Sequence, residues 1–246
     1  MRILPKSTLL LGVFLLVVSV TAAQEKKSTK VDTDRLETKA YENLKHISYR
    51  EKFSNLVYSD DRNPPDISYF QKTEYLRPDR MHVIYEQKFD KRPAFKEEKI
   101  QIGMLRYLKR NDEAWKIEKS PVERDTYSRI MSSLQTEEAG AKCGSVDFEF
   151  FGVYITKECE FIGVKKFGGQ NTRVYRVTKT RTFRRSHPEG RDRINLEVRT
   201  LWFDKKGRIL KLETVRTTVL ERRLWRAVVE YEYDPKDVAP IEAPIK

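Results

Sequence analysis

Apolar and polar residues alternate along most of the chain, which is the period-two pattern of β-strands with one buried face. The segment NLEVRTLWFDKKGRILKLETVRTT shows the pattern clearly, because Leu196, Val198 and Trp202 share one parity. The charged residues Glu197 and Arg199 hold the other parity and are expected to face solvent. Since the polar DKKG stretch reverses the chain, the segment predicts a β-hairpin.

The same period recurs elsewhere, and polar or proline-containing breaks such as SDDRNPPD and RPDR separate the runs. The pattern predicts about eleven short strands. They span residues 49–57, 68–76, 81–89, 99–109, 114–119, 146–154, 159–164, 173–183, 194–203, 209–219 and 225–233.

Two segments have the helical period instead. The first helix is predicted to be capped by Asp34, with Glu37 three residues later. Its apolar face comprises Leu36, Ala40, Tyr41, Leu44 and Ile47. The second helix has Ser120 as its cap and Pro121 at its first position. Its apolar face comprises Tyr127, Ile130, Met131 and Leu134.

No composition shift or fixed repeat divides the chain after its first segment. Short strands with two inserted helices indicate an α+β domain that is mostly antiparallel β. We therefore predict a single curled sheet with both helices on its concave face.

The first segment, residues 1–23, has the layout of a secretory signal peptide, with basic residues, an apolar run and small residues before the cleavage site. The apolar run from Leu9 to Val20 is short for a membrane-spanning helix, which needs roughly 20 residues. An uncleaved anchor is the alternative. Cleavage after Ala23 would leave residues 24–246 as one periplasmic or secreted domain. The residue directly after the cleavage site is Gln24 rather than a cysteine, so we see no lipoprotein signature.

The charge balance is strongly basic. Without Arg2 and Lys6, 47 basic residues face 37 acidic ones, a net charge of +10. A basic exported protein is expected to meet anionic partners such as lipid headgroups. The densest segment, KTRTFRRSHPEGRDR, is either a solvated hairpin tip or a patch directed at an anionic membrane or partner. The patch residues are Lys179, Arg181, Arg184, Arg185, Arg191 and Arg193.

Nucleic acid is not an expected partner, because aromatic residues are not interleaved with these cations as a stacking platform.

The two cysteines, Cys143 and Cys159, are predicted to form a disulfide in an oxidising compartment. It would close a loop of about 15 residues and contribute roughly 3 kcal/mol. Two unpaired thiols are the alternative.

Catalytic motifs are missing from the sequence. The histidines His46, His82 and His187 lie far apart and lack metal-ligand spacing to a cysteine or carboxylate. No nucleophile elbow, phosphate-binding loop or zinc-protease motif occurs. We therefore predict that the protein is not an enzyme and that it needs no metal or cofactor.

The apolar parity of the strands has two interpretations, a filled core or the wall of a cavity. Two short helices cannot cover a sheet of about eleven strands, and uncovered apolar surface marks a ligand groove or partner site. Aromatic and methionine side chains suit flexible alkyl chains. The candidate cavity residues are Met81, Val83, Tyr85, Ile102, Met104, Ile130, Met131, Leu196, Val198, Trp202, Trp225, Val229 and Tyr231.

Three stretches carry a resemblance to a known group of proteins. They are KIQIGMLRYLKRNDEAWKIEKSPVERDTYSRIMSSL, FEFFGVYITKECEFIGVKKFGGQNTRVYRVT and TLWFDKKGRILKLET. Together with the proline-rich C-terminal segment, the chain from Tyr49 to Lys246 resembles the LolA/LppX-like superfamily of exported lipoprotein carriers and lipid-binding proteins. The resemblance implies an open half-barrel closed by helices, with Val122–Leu134 as a lid and acyl chains inside.

From the resemblance we predict a soluble, monomeric, periplasmic binder or carrier of lipid or of the acyl chains of an acylated protein. The alternatives are an envelope sensor or protein-interaction module of the same fold and an exported enzyme with a dispersed site.

Overall fold

The computed structural model describes residues 32–59, 65–76, 78–89, 92–119, 143–149, 153–184, 193–218 and 223–245. This part of the chain contains one α-helix, α1 (Thr33–Glu42), continued by a 3₁₀ turn over Asn43–Lys45. The strands are β1 (Tyr49–Ser59), β2 (Ile67–Leu76), β3 (Arg80–Phe89), β4 (Arg92–Ile102), β5 (Leu105–Arg110), β6 (Lys116–Lys119), β7 (Ser145–Glu149), β8 (Val153–Phe167), β9 (Gln170–Phe183), β10 (Arg193–Phe203), β11 (Ile209–Thr218) and β12 (Arg223–Tyr233).

All of these strands belong to one open sheet in the order β6-β5-β4-β3-β2-β1-β12-β11-β10-β9-β8-β7. Every described pairing is antiparallel, and the first and last strands meet in the middle. The prediction of a single antiparallel sheet is confirmed. The second predicted helix and the proposed lid over 122–134 lie outside the described residues.

The sheet has twelve described strands rather than eleven, because the predicted strand 99–109 is two strands. Gly103 has a φ of +55°, a conformation that favours glycine, and the side chain of Met104 is 73% exposed. These two residues form the turn between β4 and β5. Alternation continues across so short a turn, so the sequence pattern does not reveal it.

Helix α1 lies on one face of the sheet, which we call the inner face, and the opposite face is the outer face. Asp32 caps the helix by accepting a hydrogen bond from the Arg35 amide at 3.0 Å, so the prediction of Asp34 as the cap was wrong. Apolar residues of the helix and of the sheet form the main core. Its buried members are Ala40, Tyr41, Leu44, Tyr49, Tyr175, Val177, Leu201, Phe203, Ile209 and Tyr231.

A buried ion pair fixes the helix to the sheet beside this core. Arg199 on β10 donates to the Glu37 carboxylate on α1, and the Glu37 side chain is only 2% exposed. Tyr41 also donates to Glu37, at 3.3 Å. The expectation that Arg199 faces solvent was therefore wrong, because a charged residue can point inward when an opposite charge meets it there.

The disulfide between Cys143 and Cys159 is present, with 5.5 Å between the Cα atoms, and the prediction of this pair is confirmed. The Thr33 hydroxyl lies 3.3 Å from one sulfur and 3.2 Å from the other. The disulfide thus ties the start of β7 to β8 next to the first turn of α1.

The C-terminal segment packs on the outer face. Ile241 is buried with Ile100 and Tyr107, and its carbonyl oxygen accepts a 2.6 Å hydrogen bond from Arg80. Arg50, in the middle of the sheet, forms three ion pairs on the same face. Its partners are Glu74 at 2.9 Å, Glu232 at 2.8 Å and Asp237 at 3.0 Å.

Candidate functional site

A cavity of about 650 Å³ lies on the inner face beyond the part of the sheet that α1 covers. Its floor is built by three adjacent strands, β1, β12 and β11, and is mainly apolar, with the uncharged polar residues Asn55 and Thr214 beside Ala227. The floor residues are Phe53, Leu212, Trp225, Ala227 and Val229. The volume falls in the range of about 300–1,000 Å³ that is typical of small-molecule sites.

The cavity adjoins the main core. Leu212 and Val229 line the cavity and also pack against the core beneath α1. They are paired in register with each other, and Val229 is paired with Phe53 on β1. The apolar surface is therefore continuous from the filled core into the open floor.

The wall of the cavity is strongly charged and comes from β9, β10 and β11. It comprises Lys179, Arg181, Arg193, Glu197 and Arg216. The Arg216 Nε atom lies 2.6 Å from a Glu197 carboxylate oxygen. The cavity is therefore amphipathic, with an apolar floor and a wall in which cations outnumber carboxylates.

One polar atom in this wall lacks a partner. The Oδ1 atom of Asn195 is buried and has no hydrogen-bond partner among the described residues. Asn195 lines the cavity and is paired with Arg181 on one side and Thr218 on the other. A buried polar atom without a hydrogen bond costs free energy, which a polar group entering the cavity could recover.

Several predicted cavity residues do lie on the inner face. Trp225 and Val229 belong to the floor. Leu196 also borders the cavity, but the register gives it the parity of Val198 and Trp202 rather than that of the inner face. Tyr231 is in the main core instead. The predicted residues of β3 share the inner face, since Met81 is paired with Tyr75, which is paired with the core residue Tyr49. Those residues are Met81, Val83 and Tyr85, and they lie two strands from the cavity.

Other predicted cavity residues lie elsewhere, and the pairing register gives the reason. Since Leu201 and Phe203 point into the core, Trp202 and Val198 point to the outer face, where the Lys211 ammonium lies 4.9 Å from the Trp202 ring. The register assumed from the hairpin pattern was therefore wrong. Four further candidates also lie away from the cavity or beyond the described part. Ile102 packs on the outer face, Met104 lies in the turn, and Ile130 and Met131 are outside the described residues.

The basic patch has a different location from the one expected. Lys179, Arg181 and Arg193 line the inner cavity rather than an outer surface. Arg184 is exposed, and its guanidinium carbon lies 4.4 Å from the Tyr154 ring centroid. Arg185 and Arg191 lie outside the described residues. The basic segment and the apolar floor, treated separately in the sequence, therefore meet in one site.

Sequence reasoning missed several lining residues. Phe53, Asn195, Glu197 and Arg216 were not selected, and Glu197 was assigned to solvent by alternation. The signal that identifies them is the strand register, since Glu197 is paired with both Lys179 and Arg216. Register across three strands depends on tertiary structure and cannot be derived from one strand's pattern.

The outer face carries a second groove of about 430 Å³. Phe70 and Ile84, which line it, are 40% and 43% exposed. Val228 on β12 also lines this groove; it is adjacent to Ala227 in sequence but lies on the opposite face. Charged residues surround the apolar ones. They are Lys52, Lys72, Glu86 and Glu230.

Catalytic or metal-binding arrangements are not evident in the described ranges. Within them, no group of three or more histidine, cysteine, aspartate or glutamate side chains is placed to hold a metal ion. His82 lies on the outer face and is hydrogen-bonded to Glu98 at 2.8 Å. No helix among the described residues is long and apolar enough to cross a membrane.

No family model matches the chain, and no curated protein matches it. Similar solved structures include LprF from Mycobacterium bovis, at 10% identity and a TM-score of 0.42, covering 86% of this chain and 96% of that one. The Mycobacterium tuberculosis lipoprotein LppX has 12% identity and a TM-score of 0.39, covering 86% and 100%. A LolA superfamily protein of Nitrosomonas europaea has 12% identity and a TM-score of 0.29, covering 85% and 96%.

In structure, as in sequence, the chain resembles LolA/LppX-like proteins.

Proposed function

We propose that the protein binds a lipid, or an acyl chain of an acylated protein, in the inner cavity. The observation that supports this proposal is the apolar floor, which continues from the core beneath α1 into an open volume of about 650 Å³. Burying an alkyl chain against such a floor is favourable by about 25 cal/mol for each Å² of apolar surface removed from water. The charged wall limits this apolar surface to one side, so the bound molecule is amphipathic.

The proposed role is that of a soluble, exported, monomeric carrier. Residues 1–23 direct export in this proposal, and the basic surface brings the carrier to anionic membrane. Transfer of a lipid between membranes forms and breaks no covalent bond, so the role requires no catalytic group, metal or cofactor.

Adjacent residues on opposite faces provide a matched test. Ala227 lies in the cavity floor, paired with Asn55 on β1 and Thr214 on β11, and both partners also line the cavity. A227W fills the inner cavity, and the control V228W fills the outer groove with the same side chain. We expect A227W to weaken binding of a fluorescent fatty acid by at least about tenfold, or ~1.4 kcal/mol, and V228W to leave it unchanged.

Fluorescence titration measures the affinities, and native mass spectrometry of protein purified from its host identifies retained ligand. Thermal unfolding of A227W and V228W tests whether both variants fold. Failure of the wild type to bind the probe, combined with a ligand-free native spectrum, would contradict the proposal.

The second candidate function is an interaction module of the same fold, and the outer groove favours it because it exposes Phe70 and Ile84. A pull-down that recovers one stoichiometric partner protein and no lipid would favour this candidate. Loss of probe binding in V228W with retention in A227W would instead place the lipid site on the outer face.

A further inference from the structure

We propose that the ligand of the inner cavity is an anionic amphiphile whose headgroup is bound by Lys179, Arg181 and Arg193. This inference rests on the proposed function, namely that the cavity floor binds an alkyl chain. It adds the charge, the position and the orientation of the headgroup.

Arg181 lies between the other two cations and is a neighbour of each on the inner face. Lys179 and Arg181 are two residues apart on β9 and lie on the same face. Arg181 is paired with Asn195 on β10, and Arg193 is the next inner-face residue of that strand. Diagonal neighbours of this kind have Cα atoms roughly 7–8 Å apart, which long basic side chains easily bridge. Guanidinium groups suit a carboxylate or phosphate because they donate two parallel hydrogen bonds.

The charge balance of the wall favours an anion. The described lining contains four basic side chains and one carboxylate, Glu197. That carboxylate already pairs with Arg216 at 2.6 Å. The lining therefore carries a net positive charge, which attracts an anion.

The two ends of the cavity also differ in polarity. Val229 and Leu212 are paired at the end of the cavity nearest α1, where the surface is apolar. Arg181 is paired with Asn195 further along, away from the helix. An amphiphile therefore lies with its tail toward the core and its headgroup at the cations.

The buried Oδ1 atom of Asn195 is consistent with this orientation. It lies at the cationic end of the cavity without a hydrogen-bond partner among the described residues. A headgroup hydroxyl can donate to it, whereas a bare alkyl chain cannot.

A carboxylate of a free fatty acid and a phosphate of a phospholipid share the chemistry that these cations bind. Three probes with the same tail distinguish the sources: dodecanoate, dodecyl phosphate and the neutral monododecanoylglycerol. Isothermal titration calorimetry on the whole protein, below the micelle concentration of each probe, gives the affinities.

We expect the wild type to bind at least one anionic probe about tenfold or more tightly than the neutral probe. The variant K179Q/R193Q should lose this preference and keep its affinity for the neutral probe. The control K165Q/K166Q removes the same charge at exposed positions near the end of β8 and should keep the preference. Preference for dodecanoate identifies a carboxylate headgroup, and preference for dodecyl phosphate identifies a phosphoryl headgroup.

Two results overturn the inference while leaving the proposed function intact. One is equal affinity of the wild type for all three probes, and the other is an unchanged preference in K179Q/R193Q. Binding of none of the probes overturns the proposed function itself. A salt titration of the wild type gives a test that does not depend on a variant folding, because screening should reduce the preference for the anionic probe.

Discussion

The ion pair between Glu37 and Arg199 allows a quantitative test of how α1 is attached to the sheet. In the variant E37Q, the Arg199 guanidinium keeps its charge but loses the opposite one. The Glu37 and Arg199 side chains are only 2% and 16% exposed, so solvent provides little screening. Burial lowers the pKa of Arg199 to about 10, which still leaves the group charged at neutral pH.

Removing one partner of a buried ion pair typically costs about 3–5 kcal/mol. We expect the lower end, about 3 kcal/mol, for E37Q, because the glutamine carbonyl can still accept the hydrogen bond that Tyr41 donates at 3.3 Å. The double variant E37L/R199M removes both charges and should recover most of the lost free energy of unfolding.

Urea unfolding followed by circular dichroism, with the disulfide intact, measures these free energies. If E37Q costs less than about 1 kcal/mol, the pair behaves as a solvent-exposed ion pair. The attachment of α1 through this pair would then be refuted. A double variant less stable than E37Q would equally contradict the argument.

Two further predictions concern stability. The variant C143S/C159S lacks the disulfide that closes a loop with a sequence separation of 16 residues, and it should lose about 3 kcal/mol of unfolding free energy. The same urea titration measures this loss. Equal stability of the wild type with and without a reducing agent would contradict the prediction. The second concerns acid. Burial raises the pKa of Glu74, but hydrogen bonds from Lys72 and Arg50 outweigh burial and hold the pKa below its ordinary value. Such a carboxylate stabilises the fold above its unfolded-state pKa, and the contribution is lost as pH falls through the folded-state value. The unfolding free energy should therefore decrease as the pH falls below about 4, and it should decrease less steeply in E74Q. Equal slopes for the wild type and E74Q in this pH range would exclude a role for Glu74.

Much of the sheet could be predicted from the sequence, because a strand with one buried face alternates with a period of two. The strand from Arg80 to Phe89 was predicted within one residue of its bounds. The division of 99–109 was missed, since Gly103 and Met104 reverse the chain without interrupting the alternation. The positive φ of Gly103 and the exposed position of Met104 distinguish the two cases, and both are properties of the folded chain.

The site was less accessible to prediction, since alternation gives the period of a strand but not which parity faces the interior. In β10 the assumption that charged residues face solvent selected the wrong parity. Glu197 and Arg199 point inward because Arg216 and Glu37 meet them there. Such pairing joins residues that are far apart in sequence, and one sequence does not reveal it.

The pairing of β1 with β12 has a consequence for the kinetics of folding. Tyr49 is paired with Tyr233, so the centre of the sheet forms only when nearly the whole chain is available. The hairpins on either side, such as β2 with β3, close short loops and can form early. Joining the two halves closes a very long loop, and folding slows as contacts become more distant in sequence. The rate of folding is therefore expected to depend on residues of the β1–β12 pair more than on any single hairpin.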